Sequence, residues 1–598
     1  MTSYNLLDEK WIRVTDKEGT IKAVSVKDCI LNGFNYAEIS SPIFHGYRFF
    51  LYDFLALRLL SAIAADILLL EDEDTLMEED DTSVWHYIVR ELKNGKPTEK
   101  FKQLANKYLE LYHDRFDLFD EEHPFMQFNE SELKQFGAVK KSPGNMLKIN
   151  PIFPAESGRI FPESFDREIR PCKSVNFSGA FDTFDGVKDA KKQILEMVQK
   201  NYTVPPEEAA YIALYLSSLC PGVGAGNKSA LAGNAYIYET LRGENLWETI
   251  MLNIPIDGEL LENDEKNESF GIPIWRWTST LDVEKSFYKG DATMHTLDGV
   301  FFPCRGINFY YDETERCVQV KYAAIPKNFI QPIDSMRKNW ATYSEPYALQ
   351  KQTYVTDDKE SVNNDTENPY RKLAPGDSLG ILLAATAQTE NTKVLEYRKK
   401  EVTELIQNPA ASNNIIMKLS ADKNIQILPE KIRVRYYYRM ADPKWVYYKT
   451  GIEDGEIDKS ILMSQVRQQC VVNVKSHIDY VSNALCDTYK HYLVTTGKVP
   501  GNVDEKKLKS IDVSYYKKEF MNRLDYLFTR ENSFLTEIGE ADESELDDVS
   551  VKWQKTISDT ALDQFRKSIN GRNLAVFWDC YSSLDRRTRV RSRKEDKK

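Results

Sequence analysis

Residues 432–448 read Ile432-Arg433-Val434-Arg435-Tyr436-Tyr437-Tyr438-Arg439-Met440, then Ala441-Asp442-Pro443-Lys444, then Trp445-Val446-Tyr447-Tyr448. β-Branched and aromatic residues crowd both flanks, a composition that suits a pleated, half-buried surface. Between the flanks, Pro443 pre-sets φ and the short Asp442 side chain can bond its own backbone, so the stretch predicts a β-hairpin with its tip at 441–444. The residues beyond this hairpin decide the fold. After Gly455 strand signals stop, and helical periodicity runs through 459–495, 510–540, 549–568 and 570–586. Helices in succession without intervening strands predict an antiparallel four-helix bundle. The fold class expected is α+β: a large mixed N-terminal domain over 1–455, then a C-terminal four-helix bundle with a basic tail over 456–598.

Upstream of the hairpin the signals are mixed. Trp11-Ile12-Arg13-Val14, a turn at Lys17-Glu18-Gly19, and Ile21-Lys22-Ala23-Val24 predict a first hairpin. Apolar residues recur at helical spacing from Tyr47 to Leu70, and again from Thr98 to Phe116. The run Phe50–Leu70 carries Asp53, Arg58 and Asp66, which predicts a buried helix rather than a membrane crossing. Residues 128–180, punctuated by prolines, read as a loop, and the polar stretch 355–370 as another. A helix is expected over Pro206–Cys220, opening with Pro-Glu-Glu and stopped by Pro221 and glycines. Residues 250–350 mix short apolar runs with turns. A chain of 598 residues exceeds what one core usually supports.

Composition narrows the function classes. The eight cysteines form no CxxC pair, and the seven histidines show no HExxH or HxH spacing, so a structural zinc has no support. No cofactor is expected. The N-terminus lacks the basic-then-apolar order of a signal peptide, so a cytoplasmic location without membrane association is expected. A net charge of −13 argues against a free-standing nucleic-acid binder. The charge is uneven: acidic residues cluster at 71–74 and 78–81, whereas Arg586, Arg587, Arg589, Arg591, Arg593 and Lys594 crowd the C-terminus. That basic run reads as a solvated tail, with a phosphate contact as the alternative.

One segment imitates an active site. Pro221-Gly222-Val223-Gly224-Ala225-Gly226-Asn227-Lys228-Ser229 approaches the phosphate-binding pattern GxxxxGK[ST]. It departs twice: Asn227 stands where the second glycine is required, and a helix rather than a strand precedes it. Its glycines still let backbone amides approach a ligand closely, and Lys228 adds charge. A helix C-cap with a tight turn is the plainer reading. No other enzyme signature is present, and the chain is expected not to be an enzyme; an ATPase reading is carried as a rival.

Several segments, in order, resemble the CasA family, the large subunit of the type I-E CRISPR Cascade surveillance complex. They are Asn5-Leu6-Leu7 with Trp11-Ile12-Arg13-Val14, then His123-Pro124-Phe125-Met126-Gln127, then Pro221 through Gly233, followed by Leu241-Arg242-Gly243 and Leu252-Asn253. The hairpin and the helical C-terminus stand where that family has its DNA wedge and four-helix bundle. Read from the residues alone, His123 is a packed core histidine and Met126 a core filler.

The resemblance implies a subunit that reads a protospacer-adjacent motif through the minor groove, starts duplex opening for R-loop formation, and helps recruit a helicase–nuclease. Motif contacts fall on Gly222, Val223, Gly224, Ala225, Gly226 and Lys228, with Lys327, or else Lys321 or Lys338, as the minor-groove lysine. Ala225 replaces a family glycine, so motif preference is expected to differ. The wedge falls on Ala441, Asp442, Pro443 and Lys444. Asp442 stands where the family has glutamine, which leaves the steric work to Pro443 and the charge to Lys444 or Arg439. The loop anchoring the subunit to its neighbour and to the guide crRNA 5′ handle falls on Ser157–Ser164, through Ser157, Gly158, Arg159 and Phe161, with Phe161 as its aromatic plug. Implied partners are the backbone, handle-binding and small subunits of Cascade, the crRNA, target double-stranded DNA and the helicase–nuclease. The rival within this family is an RNA-binding scaffold that reads no motif.

Overall fold

The computed structural model describes residues 3–44, 47–48, 51–75, 84–136, 140–141, 205–219, 230–232, 237–255, 271–289, 294–303, 306–314, 317–323, 346–347, 430–441, 447–499, 508, 511–528, 534–569 and 573–590. The chain divides into two compact units. Among the described residues, the first holds those up to Tyr347 together with Arg433–Asp454, and the second holds Glu430–Ile432 and those from Gly455 onward.

In the first unit, β1 (Ile12–Asp16) pairs antiparallel with β2 (Ile21–Val24) and with β3 (Tyr36–Ile39), so the expected N-terminal hairpin forms part of a three-stranded sheet. Between β2 and β3 lies α1 (Val26–Asn32), capped by Ser25. Short strands β4 (Ile43–Phe44) and β5 (Tyr47–Arg48) precede α2 (Tyr52–Thr75). Every residue of α2 from Tyr52 to Leu69 is buried, and the three charged side chains within that stretch are each hydrogen-bonded. Asp53 accepts from Ser41 (2.9 Å) and Tyr437 (3.1 Å), Arg58 donates to the Val300 carbonyl (2.9 Å), and Asp66 accepts from Tyr108 (2.5 Å) and Arg276 (2.7 Å). Buried charge survives here because it is hydrogen-bonded. None of the helices among the described residues is long and apolar enough to cross a membrane.

Helices α3 (Val84–Asn94) and α4 (Glu99–Leu111) follow, α4 capped by Thr98. The loop expected over 128–180 is interrupted at its start by α5 (Glu130–Gln135) and the two-residue strand β6 (Lys140–Lys141). The cause of α5 is a capping box: Asn129 accepts from the Glu132 amide (2.9 Å) while Glu132 accepts from the Asn129 amide (2.9 Å). The rest of that stretch, and the loop expected at 355–370, lie outside the described residues. Helix α6 (Pro206–Ser218) is buried on all sides from Glu208 onward, as a helix without a polar face must be. Next come β7 (Ile237–Arg242), α7 (Leu246–Leu252), α8 (Thr280–Lys289) and α9 (Thr296–Val300). Strands β8 (Gly306–Asp312) and β9 (Cys317–Ala323) pair antiparallel, with β6 on the far edge of β9. The hairpin flanks are β10 (Lys431–Ala441) and β11 (Tyr447–Asp458), in a sheet of order β11-β10-β7.

The second unit is helical. The helix expected over 459–495 breaks into α10 (Lys459–Met463) and α11 (Gln465–Thr495), because extended Ser464 turns its hydroxyl to cap the Arg467 amide (3.3 Å). That expected over 510–540 is two helices, α12 (Ser514–Phe528) and α13 (Phe534–Glu540). Then come α14 (Leu546–Ser568) and α15 (Leu574–Thr588). Long α11 packs against α12, α14 and α15. Their shared core is aromatic: Tyr489 stacks on Tyr516 at 3.8 Å and meets Phe565 at 5.1 Å, and Phe565 stacks on Phe577 at 5.7 Å. The basic run begins inside α15 rather than as a tail, with Arg587 paired to Asp487 (3.0 Å) and Arg589 to Asp585 (2.7 Å). Its remainder, from Arg591, lies outside the described residues.

Candidate nucleic-acid interface

The segments singled out in the sequence converge on α6. Trp11 meets Tyr211 edge-on at 5.0 Å, while its indole donates to the Leu6 carbonyl (2.9 Å). Asn5 fixes the opening turn, accepting from the Leu7 amide (2.9 Å) and donating to the His113 carbonyl (2.8 Å). Met126 is buried, as expected of a core filler, and the Ser217 hydroxyl of α6 donates to its sulfur (3.6 Å). Its φ of 56° is the left-handed conformation, which side chains other than glycine rarely adopt. Gln127 holds this kink: its amide donates to the Leu118 (3.0 Å) and Phe125 (3.1 Å) carbonyls, and its oxygen accepts from the Phe309 amide. His123 is only half-buried, not the core histidine expected, and its amide donates to Asp120 (2.5 Å). HPFMQ is thus a structural knot against the helix that leads into the glycine block.

Gly222, Val223, Gly224, Ala225, Gly226 and Lys228 lie outside the described residues, but both stems of their segment are described. On one side Leu219 is fully buried at the end of α6. On the other, Ala230, Leu231 and Ala232 are buried, and the Ala232 carbonyl accepts from Tyr238 (2.7 Å). Beyond β7 the matching segments are structural too. A Cβ on Gly243 would lie 2.3 Å from Glu248 Cβ and 2.9 Å from backbone atoms of α7, so only glycine fits. The Asn253 side chain accepts from the Leu241 amide (2.9 Å) and donates to its carbonyl (2.7 Å), closing β7 onto the end of α7.

Strand β7 pairs antiparallel with β10 from Arg242↔Arg433 to Ile237↔Tyr438. The chain from the glycine block therefore enters this sheet at the end where β10 leaves for the hairpin tip. Ala441 closes β10; Asp442, Pro443 and Lys444 lie outside the described residues, as do Ser157, Gly158, Arg159, Phe161 and the Arg439 side chain. Of the three lysines considered for the minor groove, Lys327 and Lys338 are likewise outside them. Lys321 is committed elsewhere, in an ion pair with Glu130 and 5.3 Å over the Tyr310 ring. Its hydrogen bond holds the Glu130 carboxyl below the usual carboxylate range.

An ion network fastens this sheet. Arg435 donates to both oxygens of Asp454 (2.6 and 2.9 Å) and lies 3.3 Å from Glu38 and 3.5 Å from Asp53. Arg242 joins Asp454 (3.2 Å) and Glu38. Burial alone would lower the Arg435 pKa and raise that of Asp454. Their mutual hydrogen bonds prevail, raising the guanidinium and holding the carboxyl low. Phe54 of α2 packs beneath, against Tyr437 (5.0 Å), Tyr238 (5.1 Å) and Tyr347 (5.5 Å). Among the described residues no group of three histidine, cysteine, aspartate or glutamate side chains is placed to hold a metal ion.

The family model for CRISPR-associated protein Cse1 matches residues 5–379, well over half of the chain. Among solved structures, CasA of Thermus thermophilus is similar at 17% identity, covering 98% of this chain and 99% of that one, with a TM-score of 0.59. Cse1 of Thermobifida fusca is similar at 17% identity, covering 98% of each chain, with a TM-score of 0.58. Cse1 from Acidimicrobium ferrooxidans matches at 13% identity, covering 98% of this chain and 99% of that one, with a TM-score of 0.55. At such identities the likeness is one of fold. A search of curated protein sequences gives no match. The family match, and a fold shared end to end with CasA and Cse1 structures, make this chain a member of the Cse1 (CasA) family, the large subunit of the type I-E Cascade surveillance complex.

Proposed function

We propose that this chain is a non-catalytic subunit of crRNA-guided Cascade that recognises a protospacer-adjacent motif in duplex DNA and begins its opening. The glycine block, 222–226 with Lys228, lies in the minor groove, assisted by Lys327. The hairpin tip, Ala441 to Lys444, is the wedge. Ser157, Gly158, Arg159 and Phe161 hold the subunit to the guide's 5′ handle and to neighbouring Cascade subunits. Once the strands part, guide pairing drives the R-loop and the assembled surface receives the helicase–nuclease. The setting is the cytoplasm, in antiviral defence.

The observation that carries this reading is the β7–β10 pairing. It gives a groove reader and a wedge a common base, as a mechanism in which engagement at one triggers entry of the other requires. Their tethers are short: Lys228 precedes Ile237 by nine residues, within roughly 30 Å of extended chain. Minor-groove readout also fits a reader tolerant of several motifs, since that groove's pattern of donors and acceptors is degenerate. The net charge of −13 fits a subunit that relies on its complex for affinity rather than binding phosphates tightly alone.

A gel-shift of reconstituted Cascade, with and without this chain, on targets carrying a randomised motif tests the reading. Motif-dependent affinity that requires the chain, and that Gly222→Asp or Lys228→Ala weakens, is the expected result. Affinity set by guide complementarity alone in both preparations would leave the scaffold role in its place.

A further inference from the structure

We infer that Arg435 is a positioning residue for duplex opening, fixing the aim of the hairpin tip from below without touching DNA. The inference rests on the wedge reading above.

Arg435 lies in β10, six residues before Ala441. Its guanidinium joins three carboxylates from three separate elements: Asp454 of β11, Glu38 of β3 and Asp53 of α2. The grip on Asp454 is bidentate, which fixes direction as well as distance. Arg242 of β7 shares two of these carboxylates, so the strand following the glycine block is held by the same cluster. Asp53 is almost fully buried and also accepts from Ser41 and Tyr437, which makes it the fixed end of the network. A two-stranded hairpin without further support is marginally stable at best. Arg435 links β10 to the buried Asp53 and to Asp454 of β11, and Arg242 ties β7 to the same Asp454 and to Glu38, so all three strands share one cluster at the base of the hairpin.

The placement also explains the chemistry chosen. Lysine would supply charge but no fork, and one ammonium cannot span three carboxylates in fixed geometry. Arg435 therefore acts through orientation, and its loss is felt where the hairpin pushes and not where DNA is already apart.

The test uses assembled Cascade containing the full chain, with Arg435→Met, Arg435→Lys and the milder Asp454→Asn. Two targets share one motif: a full duplex, and a duplex with mismatches opening the first base pairs beside the motif. A fluorescent base analogue next to the motif reports strand separation. The expected result is opening of the full duplex slowed at least tenfold by Arg435→Met and less by Asp454→Asn, with Arg435→Lys restoring only part. Binding to the pre-opened target stays within about twofold of wild type. Equal losses on both targets, or unchanged opening of the full duplex, would overturn the inference. Pro443→Gly at the tip separates this from the reading beneath it: if that change also leaves opening untouched, the wedge itself is wrong. If it slows opening while the Arg435 variants do not, only the role of Arg435 fails.

Discussion

Phe54→Ala removes the ring on which the shared base of the proposed reader and wedge is seated. Phe54 is fully buried on α2, and its neighbours are the rings of Tyr437 on β10, Tyr238 on β7 and Tyr347. Truncating a buried phenylalanine costs about 3–5 kcal/mol, set by how far the site can collapse. Here the walls are rigid rings held in a paired sheet, and the Tyr437 and Tyr238 hydroxyls are themselves bonded, to Asp53 and to the Ala232 carbonyl. Collapse would break those bonds, so the cost falls in the upper half of the range, about 4 kcal/mol. That is roughly a thousandfold in the opening equilibrium. Phe54→Leu keeps most of the apolar volume and loses the three ring contacts, worth about 0.5–1.5 kcal/mol for each aromatic pair, so a loss of at least about 1.5 kcal/mol, smaller than that of Phe54→Ala, is expected. Hydrogen exchange of the β7 and β10 amides, read by mass spectrometry, measures this local opening directly. A loss below about 1 kcal/mol for Phe54→Ala, or equal losses for both variants, would refute the seating argument.

Other perturbations have defined outcomes. Gln127→Ala strands two buried carbonyls and the Phe309 amide beside a left-handed Met126, so a loss of about 3 kcal/mol in urea unfolding is expected; a midpoint unchanged from wild type would dismiss the knot. Gly243→Ala forces α7 away from β7 and is expected to cost at least about 1–3 kcal/mol, seen as a lowered Tm; a neutral outcome would mean that α7 shifts freely. Burial pushes the Asp298 carboxyl from 3.8 up to about 6, against the pull of the Ile272 and His295 amides. A pKa raised on folding gives stability that is full below about 3.8 and lost as pH rises through about 6. Wild type should therefore lose stability relative to Asp298→Asn between about pH 4 and 7, and a pH-independent difference between the two would contradict the burial argument.

The local elements were legible where local chemistry decides them. Asp53, Arg58 and Asp66 within an apolar run already spoke for a buried helix, and the structure supplies each with a partner. Asn129 and Glu132 carried an equally local signal, a capping box, that the surrounding prolines masked. Ser464 likewise announces a break that periodicity alone runs through. What the sequence cannot carry is long-range pairing. Nothing in Ile237–Arg242 names Lys431–Ala441 as its neighbour across about two hundred residues, because β pairing depends on register and burial rather than on local propensity. Arg435 reads as one more arginine in an alternating strand; its partners stand at 38, 53 and 454, so its role emerges only from the fold. Gln127 was legible as part of a motif, but the kink at Met126 that it holds was not.

Crosslinking most directly tests whether the glycine block and hairpin tip act together at one end of one sheet. A photoreactive residue is placed at 224 or at 442 of the full chain, Cascade is assembled on a motif-bearing duplex, and crosslinked bases are mapped. Both positions are expected to label bases within a few pairs of the motif, with labelling from 442 displaced toward the first opened pair. Labelling confined to RNA or to protein from either position, or bases far apart on the duplex, would contradict a reader and a wedge acting from one base.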